Sequence, residues 1–99
     1  MATTPEKKVK EKVVKKLKSL GAYYFYPVAN GFGRSGVPDI VACYNGRFIG
    51  IEVKYDASKN PPTELQKYNL AQIDDADGIA LVIDRHNVDE LLSILEELL

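Results

Sequence analysis

The chain has 99 residues, 45% of them apolar, which is enough for one small core and predicts one domain over residues 1–99. Its single cysteine, Cys43, excludes an intramolecular disulfide framework, and no apolar run approaches the roughly 18 residues of a membrane span. With no signal-peptide core at the start, these features predict a soluble, cytoplasmic protein without membrane contact. The net charge of −1 hides a polarity along the chain. Residues 1–20 carry seven Lys and two Glu, or +5, whereas residues 61–99 carry two basic and nine acidic side chains, or −7. A basic start and an acidic end are compatible with an anionic ligand on one side only, or with two solvated helix faces.

Thr4-Pro5-Glu6 opens a helix, with Thr4 as N-cap, Pro5 at the first helical position and Glu6 in the first turn. Val9, Val13, Leu17 and Leu20 recur at helical spacing, and Gly21 ends the segment. At about 100° per residue, Glu6 falls within about 20° of Val13 and Leu17, on the core side, while Glu11 lies roughly 140° away among the lysines. Residues 22–28, rich in Tyr and Phe, predict a strand, with Pro27 at its end or on an edge. Residues 30–37 form a loop with three glycines.

Residues 38–44 and 47–54 read as strands around Asn45-Gly46, a two-residue hairpin signal. A type I′ turn there pairs Tyr44 with Arg47 and carries the register back to Asp39 opposite Glu52. Lys54 then points to the same face as Glu52, since side chains alternate along a strand. Both faces of the hairpin are largely apolar, which predicts a sheet covered on both sides, with Cys43 as a core thiol. A second loop covers residues 55–62. Residues 63–76 predict a helix with Leu65, Leu70 and Ile73 as its apolar positions, and residues 79–83 a buried strand. Residues 87–99 predict an amphipathic helix, opened by a capping box of Asn87 and Glu90. The order is α-β-β-β-α-β-α, an α/β fold with a mixed β-sheet flanked by helices.

The hairpin carries the chemistry. Carboxylates on cross-strand neighbours lie about 5 Å apart and repel by on the order of 3 kcal/mol at an effective dielectric of 20. Asp39 and Glu52 at such a distance call for a cation between them. Carboxylate oxygens suit hard divalent ions such as Mg²⁺ or Mn²⁺. A simple ion pair of Lys54 with one of the acids is the alternative, and it leaves the other acid uncompensated. His86 lies far from these acids in sequence and reads as a surface residue.

Pro38-Asp39, twelve residues, then Glu52-Val53-Lys54 resembles the PD-(D/E)xK nuclease superfamily. Gly33-Arg34-Ser35-Gly36-Val37-Pro38-Asp39, Ile51-Glu52-Val53-Lys54 and Pro62-Thr63-x₂-Gln66, in this order, resemble its VRR-Nuc family, whose small stand-alone members have this length. The resemblance implies a restriction-endonuclease-like fold and metal-dependent hydrolysis of DNA phosphodiesters. It implies that Asp39, Glu52 and the Val53 carbonyl hold Mg²⁺ or Mn²⁺, with Glu6 reaching the ion through water. Glu6 also has the family's spacing to the glycine ending its helix, fifteen residues before Gly21, and Glu11 does not. Lys54 would orient or deprotonate the attacking water, or stabilise charge on the phosphate. Gln66 is either a capping-box residue bonded to Thr63 or an active-site residue, and the two roles are compatible. Arg34, Ser35, Lys7 and Lys10 are the candidates for DNA contact. The resemblance further implies a homodimer acting on branched DNA such as a four-way (Holliday) junction. Leu92, Leu95, Leu98 and Leu99 of the last helix would serve either that dimer or the core. The alternatives are a DNA-binding module without turnover and a monomeric nuclease for flaps or ends.

Overall fold

A computed structural model describes residues 4–28 and 33–99. Residues 30–32 of the expected glycine-rich loop lie outside the described residues. Helix α1 (Pro5–Leu20) leads into strand β1 (Tyr23–Phe25), then the hairpin β2 (Ile40–Tyr44) and β3 (Arg47–Val53). Helix α2 (Glu64–Asp75), strand β4 (Ile79–Ile83), a 3₁₀ turn (Val88–Glu90) and helix α3 (Leu91–Leu98) complete the order α-β-β-β-α-β-α. The strands lie in sequence order β1-β2-β3-β4. The first two pairings are antiparallel and β3–β4 is parallel, so the sheet is mixed as expected.

Local chemistry sets the elements. The Thr4 hydroxyl accepts the Lys7 N–H at 3.2 Å, and Pro5 occupies the first turn. Gly21 takes φ 74°, and the N–H groups of Gly21 and Ala22 close on the Lys18 and Leu17 carbonyls. Asn45 (φ 57°) and Gly46 (φ 79°) both have positive φ, the requirement of a type I′ turn. The register follows without a bulge, from Tyr44↔Arg47 to Ile40↔Ile51.

One face of the sheet carries Ile40, Ala42, Ile49, Ile51, Val53, Ile79 and Ile83. These pack with Val9, Val13 and Leu17 of α1 and with Leu91 and Leu95 of α3 to form the core. Helix α2 lies over β3 and β4 on the opposite face. It comes so close that a Cβ at Gly50 would stand 2.6 Å from Ile73 Cδ1. The loop before β2 is fastened to α2 as well. The buried Asn69 amide donates to the Ser35 carbonyl at 3.0 Å, and Gly36, at φ 75°, sits against Leu65.

Several expectations are corrected. The first strand spans only Tyr23–Phe25, three residues at the sheet edge. Among the described residues α2 lies over β3 and β4, Cys43 is exposed rather than a core thiol, and Phe48 stays 47% exposed. Leu65 faces out. Asn87 makes no cap bond. Its amide instead bridges the Asp84 N–H (2.8 Å) and the Val82 carbonyl (3.0 Å), and the chain enters α3 through a 3₁₀ turn. In α3, Leu91 and Leu95 are core residues, whereas Leu98 and Leu99 are exposed.

Gly36→Ala combines a left-handed backbone with a Cβ 2.6 Å from Leu65 Cγ. Its urea midpoint should fall by the equivalent of about 1–3 kcal/mol. An unchanged midpoint would show that the contact with α2 yields without strain.

Candidate active site

Asp39 immediately precedes β2, and Glu52 is the next-to-last residue of β3. Continuing the register one step beyond Ile40↔Ile51 sets them face to face. Asp39 Oδ2 accepts the Val53 N–H at 2.8 Å, so the backbone of β3 fixes this carboxylate. Glu52 is 2% exposed, and Lys54, two residues on, is buried beside it. Gln66 is in the first turn of α2. Its Oε1 accepts the Thr63 N–H at 2.8 Å, while its Nε2 donates to Glu52 Oε1 at 3.1 Å. Gln66 therefore forms the expected capping box and bonds Glu52 at the same time. The capping bond fixes the orientation of the amide, so that its NH₂ end faces the acid.

Glu52 Oε2 is buried with no hydrogen-bond partner among the described residues. Burial pushes the Glu52 carboxyl up to about 8, and the neighbouring Asp39 carboxylate adds to the shift. Lys54 pulls in the other direction, and Glu6 adds a further small push upward. A buried carboxylate with a free oxygen beside a second carboxylate fits a hard divalent cation. It otherwise retains a proton.

Glu6 of α1 faces the same place. A cleft of about 270 Å³ is lined by Thr4, Glu6, Lys7, Lys10, Asp39 and Val53. Glu6 is exposed at this rim rather than buried with Val13 and Leu17, and Glu11 does not line the cleft. Thus Glu6, Lys7, Lys10, Asp39 and Val53 line one cleft, while Glu52, opposite Asp39 in the register, is bonded by Gln66.

Arg34 and Ser35 are placed elsewhere. The Arg34 guanidinium donates to Gln72 on α2 and lines a separate groove with Phe25, Val41 and Phe48. The Ser35 carbonyl is held by Asn69.

Sequence reasoning overlooked a second acidic group. Asp56, Asp84 and His86 have ligand-type atoms within 4.8 Å of one another, so the cluster could hold a metal ion. Its oxygens are already engaged. Asp56 Oδ1 accepts the Ser58 N–H and hydroxyl, and Oδ2 lies 3.3 Å from His86 Nε2. Asp84 accepts the N–H groups of Ala57 and His86, both at 2.8 Å. The Ser58 hydroxyl leads in lowering the Asp56 carboxyl, against the effect of burial and with help from His86. For Asp84, burial is the largest single influence and pushes upward, but the combined backbone donors and His86 bring it below the usual range. The available signal was position: both acids follow the C-terminal ends of parallel strands β3 and β4.

The antiparallel hairpin and the parallel β3–β4 pair, flanked by helices, define an α/β fold with a mixed four-stranded sheet. A solved structure described as a VRR_NUC domain aligns over 92% of this chain and 97% of its own, with a TM-score of 0.79 and 24% identity. The chain therefore has the fold of a VRR-Nuc domain, as the sequence resemblance implied. No family model and no curated protein matches the sequence. Among the described residues, no helix is long and apolar enough to cross a membrane.

The two acidic groups give opposite pH dependences. The folded state holds the Glu52 proton from the ordinary value of 4.5 up to about 8, so it binds more protons than the unfolded chain in that window. Stability contributed by that proton is lost as pH rises through the window. Asp56 and Asp84 contribute stability above their ordinary value of 3.8 that is lost as pH falls below it. Urea melts of metal-free protein should therefore weaken toward pH 8 and again at strongly acid pH. Glu52→Gln should flatten the first slope and raise stability at pH 8 by upward of about 1 kcal/mol, the worth of one pKa unit. A Glu52→Gln profile parallel to wild type would refute the assignment.

Proposed function

We propose that the protein is a Mg²⁺- or Mn²⁺-dependent endodeoxyribonuclease that hydrolyses phosphodiesters in branched DNA. The observation that carries this reading is the buried Glu52 carboxyl, with one free oxygen, set against Asp39 beside Lys54. A stability-only sheet has no use for that arrangement.

In this reading Asp39, Glu52 and the Val53 carbonyl hold the cation, with Glu6 reaching it through water. When bound, the ion supplies Lewis acidity toward phosphate and lowers the pKa of water. Asp39 is held ready by the Val53 N–H, so it reorganises little on binding. Lys54 orients or deprotonates the attacking water, or offsets charge growing on the phosphate. Gln66, fixed through Thr63, holds one oxygen of the Glu52 carboxylate and leaves the other free. Lys7 and Lys10 line the same cleft and contact the DNA backbone. Arg34 and Ser35 contact DNA only if the scissile strand extends over the loop before β2. A homodimer would set two such sites about a two-fold axis, for symmetric cuts in a four-way junction. The exposed Leu98 and Leu99 and the uncovered aromatics Tyr23 and Phe25 support the dimer. Sedimentation as a monomer at micromolar concentration would overturn it.

The decisive assay compares a synthetic four-way junction with linear duplex, with and without Mg²⁺ or Mn²⁺. Asp39→Ala and Glu52→Ala should abolish cleavage while leaving junction binding within a few-fold of wild type. Cleavage retained by either variant would refute the site, and metal-independent or absent cleavage by the wild type would refute the nuclease reading.

Gln66 separates into its two roles by substitution. Gln66→Glu keeps an acceptor for the Thr63 N–H but loses the donor to Glu52, whereas Gln66→Ala loses both. Gln66→Glu should keep the helix cap and lower cleavage about 10- to 100-fold. Gln66→Ala should lower both cleavage and thermal stability. Full activity in Gln66→Glu would reduce Gln66 to a cap.

A further inference from the structure

The lysines of α1 border two clefts, and only one contains Asp39. On the other flank, Lys8 and Lys12 of α1, Tyr55 from the loop after β3 and Arg85 from the loop after β4 line a groove of about 360 Å³. Val9 and Val88 form its apolar floor. Among the described residues, three cations line this groove and no carboxylate does.

The aromatic and the arginine form a built platform. The Arg85 guanidinium lies over the Tyr55 ring, 5.1 Å from its centroid. The Arg85 N–H donates to the Tyr55 carbonyl at 3.1 Å, which ties the two loops together. Arg85 Nη2 is 3.7 Å from the buried Asp56, whose other contacts are Ser58 and His86. Asp56 thereby positions Arg85 and partly offsets the groove's charge. Tyr55 nonetheless keeps 43% exposure. An aromatic half-covered by guanidinium and flanked by two free-reaching lysines is the chemistry of a stacked base with its phosphates. A groove of about this size is at the small end for ligand sites, suited to a single strand rather than a duplex.

We infer that the Lys8–Lys12–Tyr55–Arg85 groove binds an unpaired nucleic-acid strand. A base stacks on the Tyr55–Arg85 platform, and phosphates lie along Lys8 and Lys12. The inference rests on the nucleic-acid reading of the protein but concerns a surface outside the Asp39 cleft. It assigns to the substrate a single-stranded element, one that passes the flank of α1 opposite Glu6 while another part lies at the acids. Tyr55 directly follows Lys54, so the two regions are joined through one strand end.

The chain has no tryptophan, so Tyr55→Trp gives a unique emission at the platform. Titration with oligodeoxythymidylate in EDTA should quench this emission, and heparin of matched charge should not. Tyr55→Ala should weaken oligothymidylate binding about 5- to 100-fold. Lys8→Gln with Lys12→Gln should reduce the log–log salt slope by about 1.4. The equally charged control, Lys15→Gln with Lys18→Gln on the outer face of α1, should leave it nearly unchanged. An unquenched Tyr55→Trp, equal quenching by heparin, or equal slopes for the two lysine pairs would overturn the proposal. These measurements need no metal and no turnover. Junction cleavage with a silent Tyr55→Trp would sink the groove alone, and quenching without any metal-dependent cleavage would sink the nuclease reading alone.

Discussion

The register of one β-hairpin is the constraint on which the rest depends. Asn45 and Gly46 both take positive φ, which permits a two-residue turn and no slack. One step beyond the five paired positions of the ladder, that turn has brought Asp39 to the Val53 N–H and set it against Glu52. A slip of one residue would turn Ile49, Ile51 and Val53 out of the core at the same stroke. The apolar core therefore enforces the meeting of two acids that repel. The repulsion and the burial of Glu52 are a local cost borne by the hydrophobic face behind it.

The two faces of the sheet divide this labour. The core face is filled by α1 and α3 and supplies stability. The other face is narrowed by Gly50 so that α2 can approach, and this approach delivers Gln66 to Glu52. The same residue caps α2 through Thr63, so the start of the helix and the orientation of the acid are one structural unit. The loop carrying Pro38 and Asp39 is tied to α2 through Asn69 and Gly36. Helix α2 thus positions both acids, although it contributes only one buried side chain of its own.

What could be read from the sequence was what depends on near neighbours or on a fixed period. The Thr4 cap, the Asn45-Gly46 turn, the hairpin register and the Thr63–Gln66 box are local, and each formed as its residues dictate. Helical rotation separated Glu6 from Glu11 but put Glu6 on the core side, whereas it is exposed at the rim of the Asp39 cleft. What escaped depends on where a helix lies over a sheet. Cys43 and Val41 alternate identically in sequence, but α2 lies over β3 and β4, so Cys43 on β2 is exposed. Arg34 is drawn to Gln72 by a contact 38 residues away that no local pattern encodes. Asn87 had the composition of a helix cap, but the Asp84 N–H and the Val82 carbonyl compete successfully for its amide.

The comparison between the two acidic groups is the sharper test of what an acid in this fold is for. Glu52 and the Asp56–Asp84 pair lie at the same ends of adjacent parallel strands, and all three are buried. Their hydrogen bonding differs completely. Asp56 and Asp84 receive N–H or O–H donors on their oxygens, and their ionised forms are favoured. A cation there would share oxygens with bonds that already hold the two loops in place. Glu52 receives one donor, keeps one oxygen bare and is driven toward its protonated form by Asp39 and burial. In one case the fold has supplied everything the carboxylate needs, and the acid acts as a fastener for Tyr55 and Arg85. In the other the fold has withheld it, and the nuclease reading proposed above assigns that oxygen to a cation.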